Sequence, residues 1–316
     1  MPYLKKSNLG YTLTELIIVM ATSGLLLGAV VSSFITQQNS YDLQAQIVEM
    51  THNARTAIDR ITRELRTAGY GVPESGLSNW VDWLKDEDGK PITLTSPIQI
   101  IPRKSGQNML MLTGCFDPPI ATVKGLPLPL VTQELDLRHA QKHTRDKLKS
   151  GNVLYIGRNE NAKITSVKSR PQHSNRIGID TNPNKAGRQG LSGIYLDTLI
   201  DQLPVELLDV ITYKIDRDHE NDSVPTLVLR RDKNTGGGAQ PLAEHIETLS
   251  LTQHDDLITV SLTARTPEPD PKYRHPTAHD GYRRLTLSST VRLRNIGSTQ
   301  NWLSMDPLDN LIQSAP

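Results

Sequence analysis

The chain has 316 residues, enough for one large or two small folded units, with 35 Lys+Arg set against 34 Asp+Glu and a formal net charge of +1. That balance argues against a surface built to track phosphates, which needs an excess of positive charge. A single cysteine, Cys115, excludes an intramolecular disulfide, and a chain of this length can bury enough apolar surface to do without one.

The first ten residues form a short, mainly polar stretch with Lys5 and Lys6 near its middle. An apolar segment over residues 16–35 follows without an internal charge, long enough to cross a bilayer as a helix. Lysines ahead of such a span favour the cytoplasmic side, which sends the rest of the chain across the membrane. Secretory signals end in small residues at a cleavage site. Here Thr36-Gln37-Gln38-Asn39 follows instead, so the span is expected to be retained.

One carboxylate stands at the edge of this span, in Gly10-Tyr11-Thr12-Leu13-Thr14-Glu15-Leu16-Ile17-Ile18-Val19. An ionised glutamate costs about 2–3 kcal/mol at the hydrocarbon centre and less at an interface, so Glu15 calls for a partner or a role. Gly24 and Gly28 make a G-x-x-x-G spacing that lets helices approach closely.

Beyond the span, Leu43, Ile47, Met50, Ala54, Ala57, Ile58, Ile61, Leu65 and Ala68 recur every three or four residues, the mark of one apolar stripe on an amphipathic helix. Glu49, Arg55, Asp59, Arg60, Arg63, Glu64 and Arg66 are assigned to the opposite, solvent face. Gly69-Tyr70-Gly71-Val72-Pro73 ends the pattern. A single helix over about 12–68 would be about 80 Å long.

The remainder reads as β. Strands are expected at 98–101, 109–112, 153–157, 163–167, 208–215, 226–230, 246–252, 257–266 and 284–294, from short apolar or alternating runs. The polar stretches 114–151 and 158–193 are expected to be loops or insertions with short helices. The fold class is therefore α+β, with a long amino-terminal helix on a mostly antiparallel sheet domain. Residues 11–70 supply the helix, with its span at about 14–35, and residues 71–316 the β-rich domain.

Other clusters carry little chemistry. Asp216, Asp218, Glu220 and Asp222 alternate, which suits a solvated hairpin loop; calcium remains an alternative. An EF-hand would want glycine and glutamate at the positions of Asn221 and Leu227. Cys115 and nine histidines show no local catalytic signature. Neither an enzyme, a cofactor nor a nucleic-acid partner is expected.

The residues around Glu15 resemble the class III leader of type IV pilins, a glycine followed by an aromatic, T-L-x-E and an apolar helix. The resemblance implies a leader over residues 1–10, cut by prepilin peptidase between Gly10 and Tyr11, and N-methylation of Tyr11. It implies that Thr12, Leu13 and Glu15 serve assembly, Glu15 pairing with the terminal amine of a neighbouring subunit. Residues 55–71, the stretch Pro241-Leu242-Ala243-Glu244-His245-Ile246-Glu247-Thr248-Leu249 and the closing residues 280–295 are similar to PilW-type minor pilins. That similarity implies a non-enzymatic minor subunit that initiates pilus assembly and sits near the pilus tip. Its partners would be prepilin peptidase, other minor pilins, the major pilin, the inner-membrane assembly platform and membrane lipid. Adhesion and motility belong to such filaments. The J-type pseudopilin of type II secretion shares the helix and general layout and is the alternative, as is an anchored binding protein unrelated to filaments.

Overall fold

A computed structural model describes residues 11–73, 77–78, 80–86, 89–101, 108–123, 131–132, 134–137, 148–157, 160–169, 175–181, 191–192, 203–218, 221–232, 238–254 and 256–295. The described chain falls into two compact units. One comprises the chain up to Glu49 with Glu268–Arg283; the other comprises Met50–Pro267 and the chain from Arg284 onward.

Helix α1 runs without a break over Leu13–Thr67. No proline interrupts it, and its apolar positions keep a helical period through the amphipathic half. Met50, Ala54, Ala57, Ile58, Ile61 and Leu65 form the buried stripe. Each of its large side chains contributes about 1.5–3 kcal/mol relative to exposure. Gly69 and Gly71, at φ 84° and 74°, end the helix in the left-handed region that glycine tolerates. The amide of Gly69 then donates to Thr113 O at 2.9 Å, tying the helix end to the strand Met109–Gly114.

Sixteen strands appear among the described residues. The first sheet has the order β1-β2-β11-β12-β13, built from Ile98–Ile101, Met109–Gly114, Asp209–Asp218, Asn221–Asp232 and Ala239–Ala243. All its pairings are antiparallel, and Ile211 of β11 stands opposite Leu112 of β2. The second sheet has the order β3-β10-β6-β7-β8-β5, from Ala121–Val123, Leu203–Leu207, Val153–Ile156, Glu160–Ser169, Asn175–Asp180 and Glu134–Leu137. Its own apolar cluster includes Leu135, Leu137, Leu154, Ile156, Ile177 and Ile179. A two-stranded pair joins β4, Val131–Thr132, to β9, Leu191–Ser192.

The third sheet is the antiparallel meander β14-β15-β16, over Ile246–His254, Leu257–Arg265 and Arg284–Arg292. Period-two alternation sends Leu251, Ile258, Val260, Leu262 and Val291 inward. The outward face is a register of hydroxyls. Thr248 pairs with Thr263, and Thr263 with Thr286; Ser250 pairs with Ser261, and Ser261 with Ser288; Thr252 pairs with Thr259, and Thr259 with Thr290.

All nine expected strand runs are present, several longer than the sequence indicated. The stretches 114–151 and 158–193 correct an expectation: besides β7, which contains the expected run 163–167, they hold β3, β4, β5, β8 and β9, and no helix among the described residues. The physical reason is length. A three-residue strand such as β3 shows no periodicity, and it becomes a strand only when β10 supplies its hydrogen-bond partners. Strand β10 and the edge strand β13 lie outside the nine expected runs. Gly89 N–H donates to Asp86 O at 3.1 Å.

Candidate functional site

The helix start is a closed hydrogen-bonding unit. Thr12 Oγ1 accepts from the Glu15 amide at 3.3 Å, while Glu15 Oε2 accepts from the Thr12 amide at 3.3 Å and from the Thr12 hydroxyl at 3.2 Å. This is a capping box, in which two otherwise orphaned donors are satisfied reciprocally. The sequence reasoning missed it, although Thr-x-x-Glu ahead of an apolar run is its signature. Glu15 therefore has a local role beside the one implied by the leader resemblance. Tyr11 and Leu13 flank the cap and are 90% and 75% exposed. Gly10 lies outside the described residues.

From the cap onward the apolar segment is uncovered. The helix is long and apolar enough to cross a membrane, and no part of its most apolar stretch is buried. Leu25 and Phe34 are among the large apolar side chains left exposed. Within this stretch Thr22 and Thr36 donate to carbonyls one turn back at 2.9 Å. Their hydroxyls are thereby satisfied inside the helix, which suits a medium offering no water. A Cβ on Gly24 or Gly28 would meet nothing within 4 Å, so their close-packing face is bare in the single chain.

The buried half of α1 holds a charge that the sequence reading placed on the solvent face. Glu64 is 4% exposed; its Oε1 accepts from Arg60 Nε at 2.6 Å, and its Oε2 accepts from the Tyr213 hydroxyl on β11. Glu64 comes one turn after Ile61, at the margin of the apolar stripe, so helical period alone could not exclude it from the interior. Burial, then the nearby carboxylate, pushes the Tyr213 hydroxyl well above the ordinary tyrosine range.

A second cluster caps the helix end. The Tyr70 hydroxyl donates to Glu206 Oε1 at 3.4 Å, and its ring meets Tyr155 edge-on at 5.2 Å. Burial, followed by the Glu206 charge, raises the Tyr70 hydroxyl to about 12. Burial also raises the Glu206 carboxyl, with the Tyr70 hydrogen bond pulling it back. Cys115 is buried in this cluster and in no disulfide, its amide donating to Tyr70 O at 2.9 Å.

The acidic alternation lies in a hairpin, as one of the two readings expected: β11 ends at Asp218 and β12 begins at Asn221. Asp216 pairs with Lys214 at 2.6 Å. Glu220 lies outside the described residues, as do the side chains of Asp218 and Asp222. Among the described residues no group of three His, Cys, Asp or Glu could hold a metal ion.

The helix start with its uncovered apolar face is thus the strongest candidate for function. No family model, curated protein or solved structure matches the chain.

Proposed function

We propose that the protein is a pilin-type subunit, a minor pilin that takes part in initiating a type IV pilus. The observation that carries this reading is the single helix Leu13–Thr67, apolar and uncovered in its first half and buried along a stripe in its second. In this reading the first half resides in the inner membrane with the carboxy-terminal domain in the periplasm, and later enters a filament core at the cell surface. One continuous helix suits both surroundings because its backbone bonds are internal and need no water.

Glu15 and the amine created at Tyr11 by cleavage after Gly10 act as charge partners between subunits. Each charge is expensive alone in a low-dielectric place, so pairing them selects one register. The capping box holds the Glu15 carboxylate at the helix start, where such an amine can reach it. Gly24 and Gly28 provide the face for helix packing. The function is assembly, with prepilin peptidase, other minor pilins, the major pilin and the assembly platform as partners.

A strain lacking the gene tests this directly, with surface pili and secreted enzymes scored together. Scarce pili with normal secretion support the minor pilin. Lost secretion with normal pili would instead make the chain a J-type pseudopilin. No change in either, with no cut between Gly10 and Tyr11 by a prepilin peptidase, would leave an anchored protein unrelated to filaments.

A further inference from the structure

We infer that the connection between β15 and β16 is a pH-sensitive clasp, held closed by the neutral imidazole of His275 and released when that ring takes up a proton. The segment Glu268–Arg283 folds on itself. At its neck the Asp270 amide donates to Gly281 O at 2.9 Å, and further out the His275 amide donates to Asp280 O at 2.7 Å. Between His275 and Asp280 lies a single helical turn, closed by the His279 amide donating to His275 O at 3.1 Å. Pro276 takes the first position of that turn, where a missing N–H costs nothing. His275 occupies the capping position ahead of it. Its Nδ1 accepts from the amides of Thr277 at 3.3 Å and Ala278 at 3.1 Å, donors that the start of a turn otherwise leaves orphaned.

The identity of the cap makes it switchable. Serine, threonine and asparagine, the usual caps, keep their acceptor oxygen across the physiological pH range. Histidine is the side chain that ordinarily changes charge between pH 5 and 8. Only the neutral ring leaves Nδ1 a lone pair to offer, whereas both nitrogens of the imidazolium are donors. A proton on Nδ1 therefore removes both capping bonds at once and turns an N–H toward two N–H groups. The closed turn holds only the neutral ring, while the opened segment accepts either form. Closure is thus complete at higher pH and is lost as pH falls.

The surrounding charges leave the imidazolium without a carboxylate of its own. The Tyr273 ring meets the imidazole edge-on, with centroids 6.4 Å apart. Asp270 is engaged by Arg283 at 2.8 Å, and Asp280 Oδ1 accepts from the Tyr282 amide at 3.3 Å. Lys272, Arg274 and His279 are exposed and bring positive charge or none. At the adjoining strand ends Arg265 and Arg284 share Glu247. Glu268 and, on the part of α1 in the same compact unit, Glu15, Asp42 and Glu49 are the remaining described acids. None of these carboxylates is paired with His275 among the described residues. Nothing in this device depends on the filament reading.

Hydrogen exchange read by mass spectrometry on the full chain in detergent tests the clasp. Peptides within residues 268–283 are compared at about pH 8 and about pH 5.5, each rate divided by that of the unfolded chain at the same pH. Protection should fall about fivefold on acidification, the worth of one side-chain cap. His275→Asn supplies an acceptor that does not titrate and should stay protected at both values. His275→Ala should show the low protection at both, and His279→Asn, which leaves the cap in place, should follow the parent. Unchanged exchange in β15 verifies that each variant is folded. Equal protection of the parent at the two values would overturn the inference, as would an acid loss in His275→Asn as large as the parent's. It would also fall if His275→Ala were as protected as the parent at the higher pH, or if His279→Asn abolished the response.

Discussion

The Tyr213 hydroxyl donates to Glu64, joining the central strand of the first sheet to the buried half of the helix. The tyrosine is fully buried and the glutamate nearly so. A buried carboxylate costs several kcal/mol unless it is paired and hydrogen-bonded, and here Arg60 supplies the charge while Tyr213 supplies the second bond. Tyr213→Phe should therefore cost about 1–3 kcal/mol, the penalty of an acceptor left short of a partner. Glu64→Leu combined with Tyr213→Phe should cost less than the two single losses added together. Urea unfolding of the detergent-solubilised chain measures both, and strictly additive losses would show that the pair is not coupled.

Alkali should weaken the same region. Tyrosine ordinarily titrates near 10, whereas Tyr70 is raised to about 12 and Tyr213 is raised further. A raised folded value means that the folded chain holds a proton that the unfolded chain has released. Stability from these groups is thus complete below about 10 and falls as pH climbs through the folded values. Melting temperature followed from pH 9 upward should drop, and it should drop less steeply in Tyr70→Phe and Tyr213→Phe.

The capping role of Glu15 and the assembly role proposed for it can be separated by substitution. Glu15→Gln keeps an oxygen for the Thr12 amide but loses the charge, whereas Glu15→Val loses both. If charge pairing drives assembly, both variants should fail to enter filaments. If capping alone matters, Glu15→Gln should assemble normally and Thr12→Ala should fail, at a helix cost of about 1 kcal/mol. Counting filament-incorporated subunits distinguishes the two patterns.

The connection between β15 and β16 is held by Asp270, which accepts from Arg283 Nη2 at 2.8 Å and from the Lys272 amide at 2.9 Å. Arg283 also lies over the Tyr273 ring, 4.7 Å from its centroid. The Arg283 bonds, then the Lys272 amide, hold the Asp270 carboxyl below the usual range. Its contribution is therefore present above the ordinary carboxylate value and is lost as pH falls through the depressed one. Asp270→Asn should speed proteolysis within residues 268–283 at neutral pH, leaving the global melting temperature close to the parent's.

Gly71 should tolerate no side chain. A Cβ there would lie 2.6 Å from Cys115 Sγ and 3.0 Å from the Tyr155 ring, at a φ of 74°. Gly71→Ala is expected to destabilise by about 1–3 kcal/mol through overpacking and backbone strain. Gly24→Ala, with open space around it, should leave folding unharmed and gain helix propensity. Paired melts of the two variants check the contrast.

The helix was legible from residue order because its signals are local. An apolar run, a three-to-four residue period and a Gly-Tyr-Gly-Val-Pro stop predict bounds within one residue of Leu13–Thr67. Strands with a clear apolar run, such as β15, were legible for the same reason. The capping box is equally local, since it needs only the three-residue spacing of Thr12 and Glu15.

What the chain alone could not decide is partnership at a distance. Strand β2 lies beside β11, and β10 between β3 and β6, because ladders form between segments that residue order keeps far apart. The burial of Glu64 belongs to the same class. On a helical wheel it borders the stripe, and only the arrival of Tyr213 from β11 makes the interior habitable for its charge. The sequence by itself determined an uncovered apolar helix with a carboxylate at its start, since helix and cap need only near neighbours. The tertiary structure decided which strands share a sheet, which hydroxyls align into rows and which glutamate is buried, since each depends on hydrogen bonds between distant residues.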